Sequence, residues 1–122
     1  MKNLISINDV FLTPHFKLRE FQSPDTKEVI LHRELVKRLQ RVRNEIKKPI
    51  IITSGYRTEK HNFLVGGELN SQHRVGCAVD ISTVNHDIRK LKSCLKNEGF
   101  KQIIVYRYDK IVHVALFKKN PF

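Results

Sequence analysis

Asp80 stands inside an apolar run. The stretch Cys77-Ala78-Val79-Asp80-Ile81 alternates as a strand does, with Cys77, Val79 and Ile81 on one side and Ala78 and Asp80 on the other. An isolated carboxylate is very costly in a dry interior, so a fold that buries this strand must bring it a partner. A second apolar run, Ile111-Val112-His113-Val114-Ala115-Leu116, carries one imidazole, and His73 sits in a loop upstream of Asp80. Adjacent strands would set Asp80 beside His113, with His73 over the strand end. Two readings are open. Two histidines, one carboxylate and an open water position describe a catalytic zinc site. A satisfied core histidine, a loop histidine and a hydrogen-bonded aspartate describe ordinary packing.

The rest of the chain supplies helices around these strands. Leu31, Leu35, Leu39, Val42 and Ile46 recur near the helical period and predict a helix over about Val29 to Ile46, ended by Pro49. Before it, Phe11 to Phe16 reads as extended, followed by a short helical turn at Leu18-Arg19-Glu20-Phe21. Ile50-Ile51-Ile52-Thr53 is a short β-branched strand. Thr58 can cap a short helix over Glu59 to Leu64, which Gly66-Gly67 stops. Asn85 can cap a second long helix with the stripe Ile88, Leu91, Cys94 and Leu95, closed by Gly99. Strands over about Gln102 to Tyr106 and Ile111 to Phe117 end the chain as a hairpin. This order favours α+β, a small antiparallel sheet packed with helices, over a doubly wound parallel sheet.

With 122 residues the chain is expected to be a single domain, 1–122, with enough surface to bury one core. No window approaches the roughly 18 apolar residues of a membrane span. Met1 to Asp9 lacks the apolar core and cleavage site of a signal peptide, so cytoplasmic synthesis is expected, or export by means the chain does not encode. The two cysteines, Cys77 and Cys94, form no CxxC pair and are expected as reduced, partly buried thiols. His15, His32, His61 and His86 read as surface or capping histidines. The net charge of +11 attracts polyanions in general. No helix-turn-helix, zinc-finger or aromatic-basic sheet signature accompanies it, so specific nucleic-acid binding is not expected. Nothing in the sequence indicates an oligomer, and a monomer is expected.

The stretch Ser71-Gln72-His73-Arg74-Val75-Gly76-Cys77-Ala78-Val79-Asp80 resembles the Ser-x-His-x-x-Gly-x-Ala-x-Asp motif of the D-alanyl-D-alanine carboxypeptidase-type zinc peptidases at every fixed position. Ile51 to Arg57 is similar to that family's strand and turn. Asn62, Gly66 and Gly67 fall where small phage and bacterial members have them, and Val112-His113-Val114 resembles the final metal histidine. The resemblance covers about Phe16 to Leu116. It implies a hedgehog/DD-peptidase-like α+β fold and a Zn2+ held by His73, Asp80 and His113. It further implies that Arg57 holds the substrate carbonyl or carboxylate, a task suited to paired guanidinium donors. Ser71 is then a loop or substrate-hydrogen-bonding residue, since no base is positioned to make it a nucleophile.

The implied activity is a zinc-dependent peptidase acting on peptidoglycan, in the manner of small phage endolysins that reach the wall by lysis, by export or as virion parts. Many members place a Glu or Asp three residues before the final histidine as general base; here that residue is Lys110. Asp109 is four before, about 13 Å from His113 along a regular strand at ~3.3 Å per residue, unless a tight turn folds it back. Glu68 is a second candidate, and a site without a side-chain base a third. Ala115 stands where many small members carry an aspartate. A non-catalytic wall-binding or structural module that keeps the fold is therefore the alternative function. The Lys and Arg residues are expected on the outer helix faces and at Lys118-Lys119, away from the metal loop.

Overall fold

Short apolar runs build one antiparallel sheet whose two faces have different tasks. The computed structural model describes residues 6–122; Met1–Ile5, part of the N-terminal segment read above, lie outside the described residues. A small hairpin, β1 (Phe11–Thr13) and β2 (Phe16–Lys17), leads into a 3-10 turn at Leu18–Phe21. Then come α1 (Arg33–Ile46), β3 (Ile52–Ser54), α2 (Glu59–Leu64) and a second 3-10 turn at Gln72–Val75. They are followed by β4 (Ala78–Ser82), α3 (Ile88–Asn97), β5 (Gln102–Tyr106) and β6 (Ile111–Ala115). The main sheet has the order β3-β4-β6-β5, with every neighbour antiparallel. The α+β expectation holds.

Register decides which residues share a face. Val79 pairs with Val114 and Ile81 with Val112, while Ile103 and Val105 lie opposite the same β6 residues. This face joins Leu35, Val36, Leu39 and Val42 of α1 and Leu91, Cys94 and Leu95 of α3 in one apolar cluster. The opposite face carries Asp80 paired with His113, Ala78 with Ala115, and on β5 Gln102 and Ile104. Cys77 and Cys94 are free thiols within the apolar cluster, and burial pushes the Cys77 thiol up from its usual pKa. Among the described residues no helix is long and apolar enough to cross a membrane.

Two helix starts differ from the periodicity. α1 begins at Arg33 rather than Val29, because the His32 N–H is bonded to the Gly76 carbonyl at 3.0 Å and His32 itself is extended, which keeps the preceding residues out of the helix. His32 is itself the N-cap, its Nδ1 accepting from the Glu34 N–H at 3.1 Å. α3 is capped by Asp87, not Asn85: Asp87 Oδ1 accepts from the Arg89 and Lys90 N–H groups, whereas Asn85 sits in the left-handed region at φ 68°. The third strand runs Ile52–Ser54 instead of starting at Ile50, and the last ends at Ala115. The Thr58 cap of α2 and the left-handed Gly99 after α3 are as expected.

Candidate metal centre

His73 is held by a short, heavily bonded turn. Ser71 caps it, its Oγ accepting from the His73 N–H at 3.2 Å, and Gly76 ends it in the left-handed region. Gln72 anchors the turn to the chain after β6: its Nε2 donates to the Phe117 carbonyl at 2.6 Å and its Oε1 accepts from the Phe117 N–H at 3.1 Å. The His73 carbonyl takes the Arg57 N–H, and His73 Nδ1 lies 2.7 Å from the Gly55 carbonyl. A carbonyl only accepts, so the ring proton sits on Nδ1 and Nε2 presents a bare lone pair. That Nε2 is buried without a hydrogen bond, 3.3 Å from Asp80 Oδ1.

His113 arrives from β6 through its pairing with Asp80. Its Nδ1 is 3.1 Å from Asp80 Oδ1, and its Nε2 is 2.7 Å from Gln102 Oε1. The two imidazole centroids are 5.2 Å apart. Burial alone would raise the Asp80 carboxyl. Its close contacts with the His113 and His73 imidazoles outweigh that cost and hold the group far below the usual carboxylate range. The second carboxylate oxygen, Oδ2, receives Arg57 Nη2 at 3.3 Å. Arg57 is fixed in turn by Ser54 Oγ at 3.2 Å and Asn62 Oδ1 at 3.3 Å, and Asn62 Nδ2 donates to the Glu68 carbonyl. Burial lowers the guanidinium pKa and Asp80 draws it back up.

The donor set fits a metal ion. One ligand atom from each of His73, Asp80 and His113 lies within 4.8 Å of the others. Tetrahedral zinc with bonds of about 2.0–2.1 Å spaces neighbouring ligand atoms roughly 3.3 Å apart, close to the separations of the histidine nitrogens from Asp80 Oδ1. A lone pair on His73 Nε2 facing an ionised carboxylate oxygen has no proton to share and calls for a cation between them. Packing alone leaves that buried nitrogen without a partner.

The triad opens onto a cleft of about 750 Å³. Arg57, Ser71, Glu68 and Asp109 all line it. Asp109 lies in the β5–β6 turn, where left-handed Lys110 (φ 55°) turns the chain before Ile111. Asp109 thus shares the cleft with His113 but makes no hydrogen bond to the triad. Lys118 and Lys119 border the same cleft rather than lying away from the metal loop, since Gln72 draws the chain after β6 back over the His73 turn. Gln102 was not among the residues singled out from the sequence. Its contact with His113 depends on the β5–β6 register, which no local pattern reveals.

The family described as Peptidase M15 matches residues 14–115 of the chain. A zinc D-Ala-D-Ala carboxypeptidase of Streptomyces albus G is 35% identical over 57 residues, which is 47% of this chain and 22% of that protein. The aligned part therefore spans about a fifth of the length of this curated relative.

Proposed function

From the premise that the chain belongs to the peptidase M15 family, we propose that it is a zinc peptidase hydrolysing a peptide bond in the stem or cross-link of peptidoglycan, working as one peptidase-like domain. The observation that carries this reading is the convergence of His73 Nε2, Asp80 Oδ1 and His113 Nδ1 in the lining of a cleft. These three residues would hold the zinc, in line with the metal named in the Streptomyces relative. When bound, zinc supplies an acidified water and polarises a carbonyl.

The remaining work falls to the chain's own groups. Arg57, steadied by Ser54 and Asn62, offers donors to negative charge developing on the substrate. Ser71 lines the cleft beside it, with its Oγ engaged as a cap. Asp109, carried into the cleft by the Arg107–Lys110 turn, is the proton acceptor and returns the proton to the leaving amine. The net charge of +11, with Lys118 and Lys119 beside the cleft, draws the protein to an anionic wall. Action at the wall after lysis, through export or as a phage virion part follows from that reading.

Mass spectrometry of peptidoglycan digested with wild type, Asp109→Ala and His113→Ala tests it. Wild type releases peptide fragments, His113→Ala releases none, and Asp109→Ala is slowed by about 10²–10⁴-fold. Unchanged cutting by Asp109→Ala rules that residue out as the base. Zinc near one per chain with no fragments from wild type would make the protein a wall-binding module.

Arg57 gives a separable effect. Arg57→Ala should lower kcat by about 10²–10³-fold with zinc saturating, measured on the same substrate. If excess zinc restores full activity, Arg57 acts only by holding Asp80.

A further inference from the structure

His113 has two ring nitrogens, and β5 supplies a partner for the one that faces away from Asp80. Gln102 stands opposite Ala115, on the same sheet face as His113 and one pair along the strands. The methyl of Ala115 is small and carries no acceptor, so the Gln102 amide can lie toward the imidazole, within reach of a diagonal neighbour. Its Oε1 is 2.7 Å from His113 Nε2. The other end of the amide agrees with that orientation: Gln102 Nε2 faces the Lys118 carbonyl at 3.5 Å. With Oε1 toward the ring, Nε2 must carry a proton, so Nδ1, 3.1 Å from Asp80 Oδ1, is the ring nitrogen that a cation can claim.

We propose that Gln102 is a positioning residue of the metal centre, fixing His113 in the tautomer whose Nδ1 is free for a cation and tying that ring to the Lys118–Lys119 arm beside the cleft. The proposal rests on the reading of His73, Asp80 and His113 as zinc ligands. Outer partners of this kind orient a ligand ring and raise its basicity. Here the partner is a neutral amide from a neighbouring strand. His73 is served differently, by the Gly55 backbone carbonyl. One ligand is thus fixed by main chain and the other by a replaceable side chain.

The test compares wild type with Gln102→Ala, Gln102→Met and Gln102→Glu. In metal-free protein, long-range 1H–15N correlation spectra of the His113 ring read the tautomer with neither metal nor turnover. Wild type shows the proton on Nε2, and the Ala and Met variants show a mixture. Competition with a chromophoric chelator should then show zinc affinity reduced by about 10–100-fold in the Ala and Met variants. Gln102→Glu, which restores an acceptor and adds charge, should return it to wild type or above. Met preserves side-chain length and guards against a simple packing defect. Wild-type tautomer and affinity in the Ala and Met variants would overturn the proposal, as would failure of Glu to restore the loss. Retention of wild-type zinc affinity by His73→Ala would instead defeat the zinc reading itself, and the tautomer spectra would then judge Gln102 independently.

Discussion

His73→Ala is expected to leave the purified protein with almost no zinc, where the proposed function gives wild type about one per chain, and to end the proposed release of peptides from peptidoglycan. The expected loss exceeds the roughly 10–100-fold that follows removal of an outer partner, because a ligand itself is gone. The state of the His73 ring makes the loss large. Its Nδ1 is committed to the Gly55 carbonyl, and its Nε2 is buried beside Asp80 with no hydrogen bond of its own. Elemental analysis and fragment release read the two outcomes. Asp80→Asn, which preserves shape, should lose zinc as well, so that the effect cannot be laid to a cavity alone. A His73→Ala protein that keeps one zinc and full activity would place the metal elsewhere.

The largest loss of stability is expected at Gly76. Its φ of +71° lies in the left-handed region, which costs another residue about 1–2 kcal/mol. An added Cβ would also run into the backbone carbonyl of Ile30, where no flexible side chain can give way. Forcing the main chain apart adds roughly 1–3 kcal/mol. It also strains the bond from the His32 N–H to the Gly76 carbonyl, at the start of α1. Gly76→Ala should therefore lower Tm by on the order of 10 °C in a thermal melt, a large share of a typical domain's stability. Zinc affinity should fall with it, since Gly76 closes the turn that carries His73. A melt that matches wild type would show that the turn relaxes at no cost.

Much of the centre could be read before the fold was known, for a specific reason. Asp80 and His113 are polar residues inside apolar strands, and burial makes such residues conspicuous. Their direct pairing across β4 and β6 is the simplest arrangement of two such runs. The alternation that sent Cys77 away from Asp80 also held, because strand period is local. The start of α1 was not legible: Val29 to His32 is kept out of the helix by a bond from His32 to Gly76, distant in sequence. Asn85 and Asp87 are both good caps, and only the backbone conformation distinguishes them. Gln102 was missed, and Lys118 and Lys119 were expected away from the metal loop, for the same kind of reason. Their place at the cleft depends on strand register and on the Gln72–Phe117 bonds, contacts between distant parts of the chain.

The division of the sheet into an apolar face and a ligand face makes length, as well as composition, a constraint on β6. Val112 and Val114 meet the helices while His113 between them meets Asp80. Sliding β6 by one residue against β4 would turn every side chain over, sending the imidazole into the core and valines into the cleft. A slip by two would keep the faces but part His113 from Asp80. Core packing therefore acts as a ruler for the metal site, rejecting odd slips through the cost of exposing valine and burying an imidazole. Even slips remain for the end contacts to exclude, and the Gln72 clamp on Phe117 and the tight turn at Arg107 to Lys110 stand at the two ends of that strand.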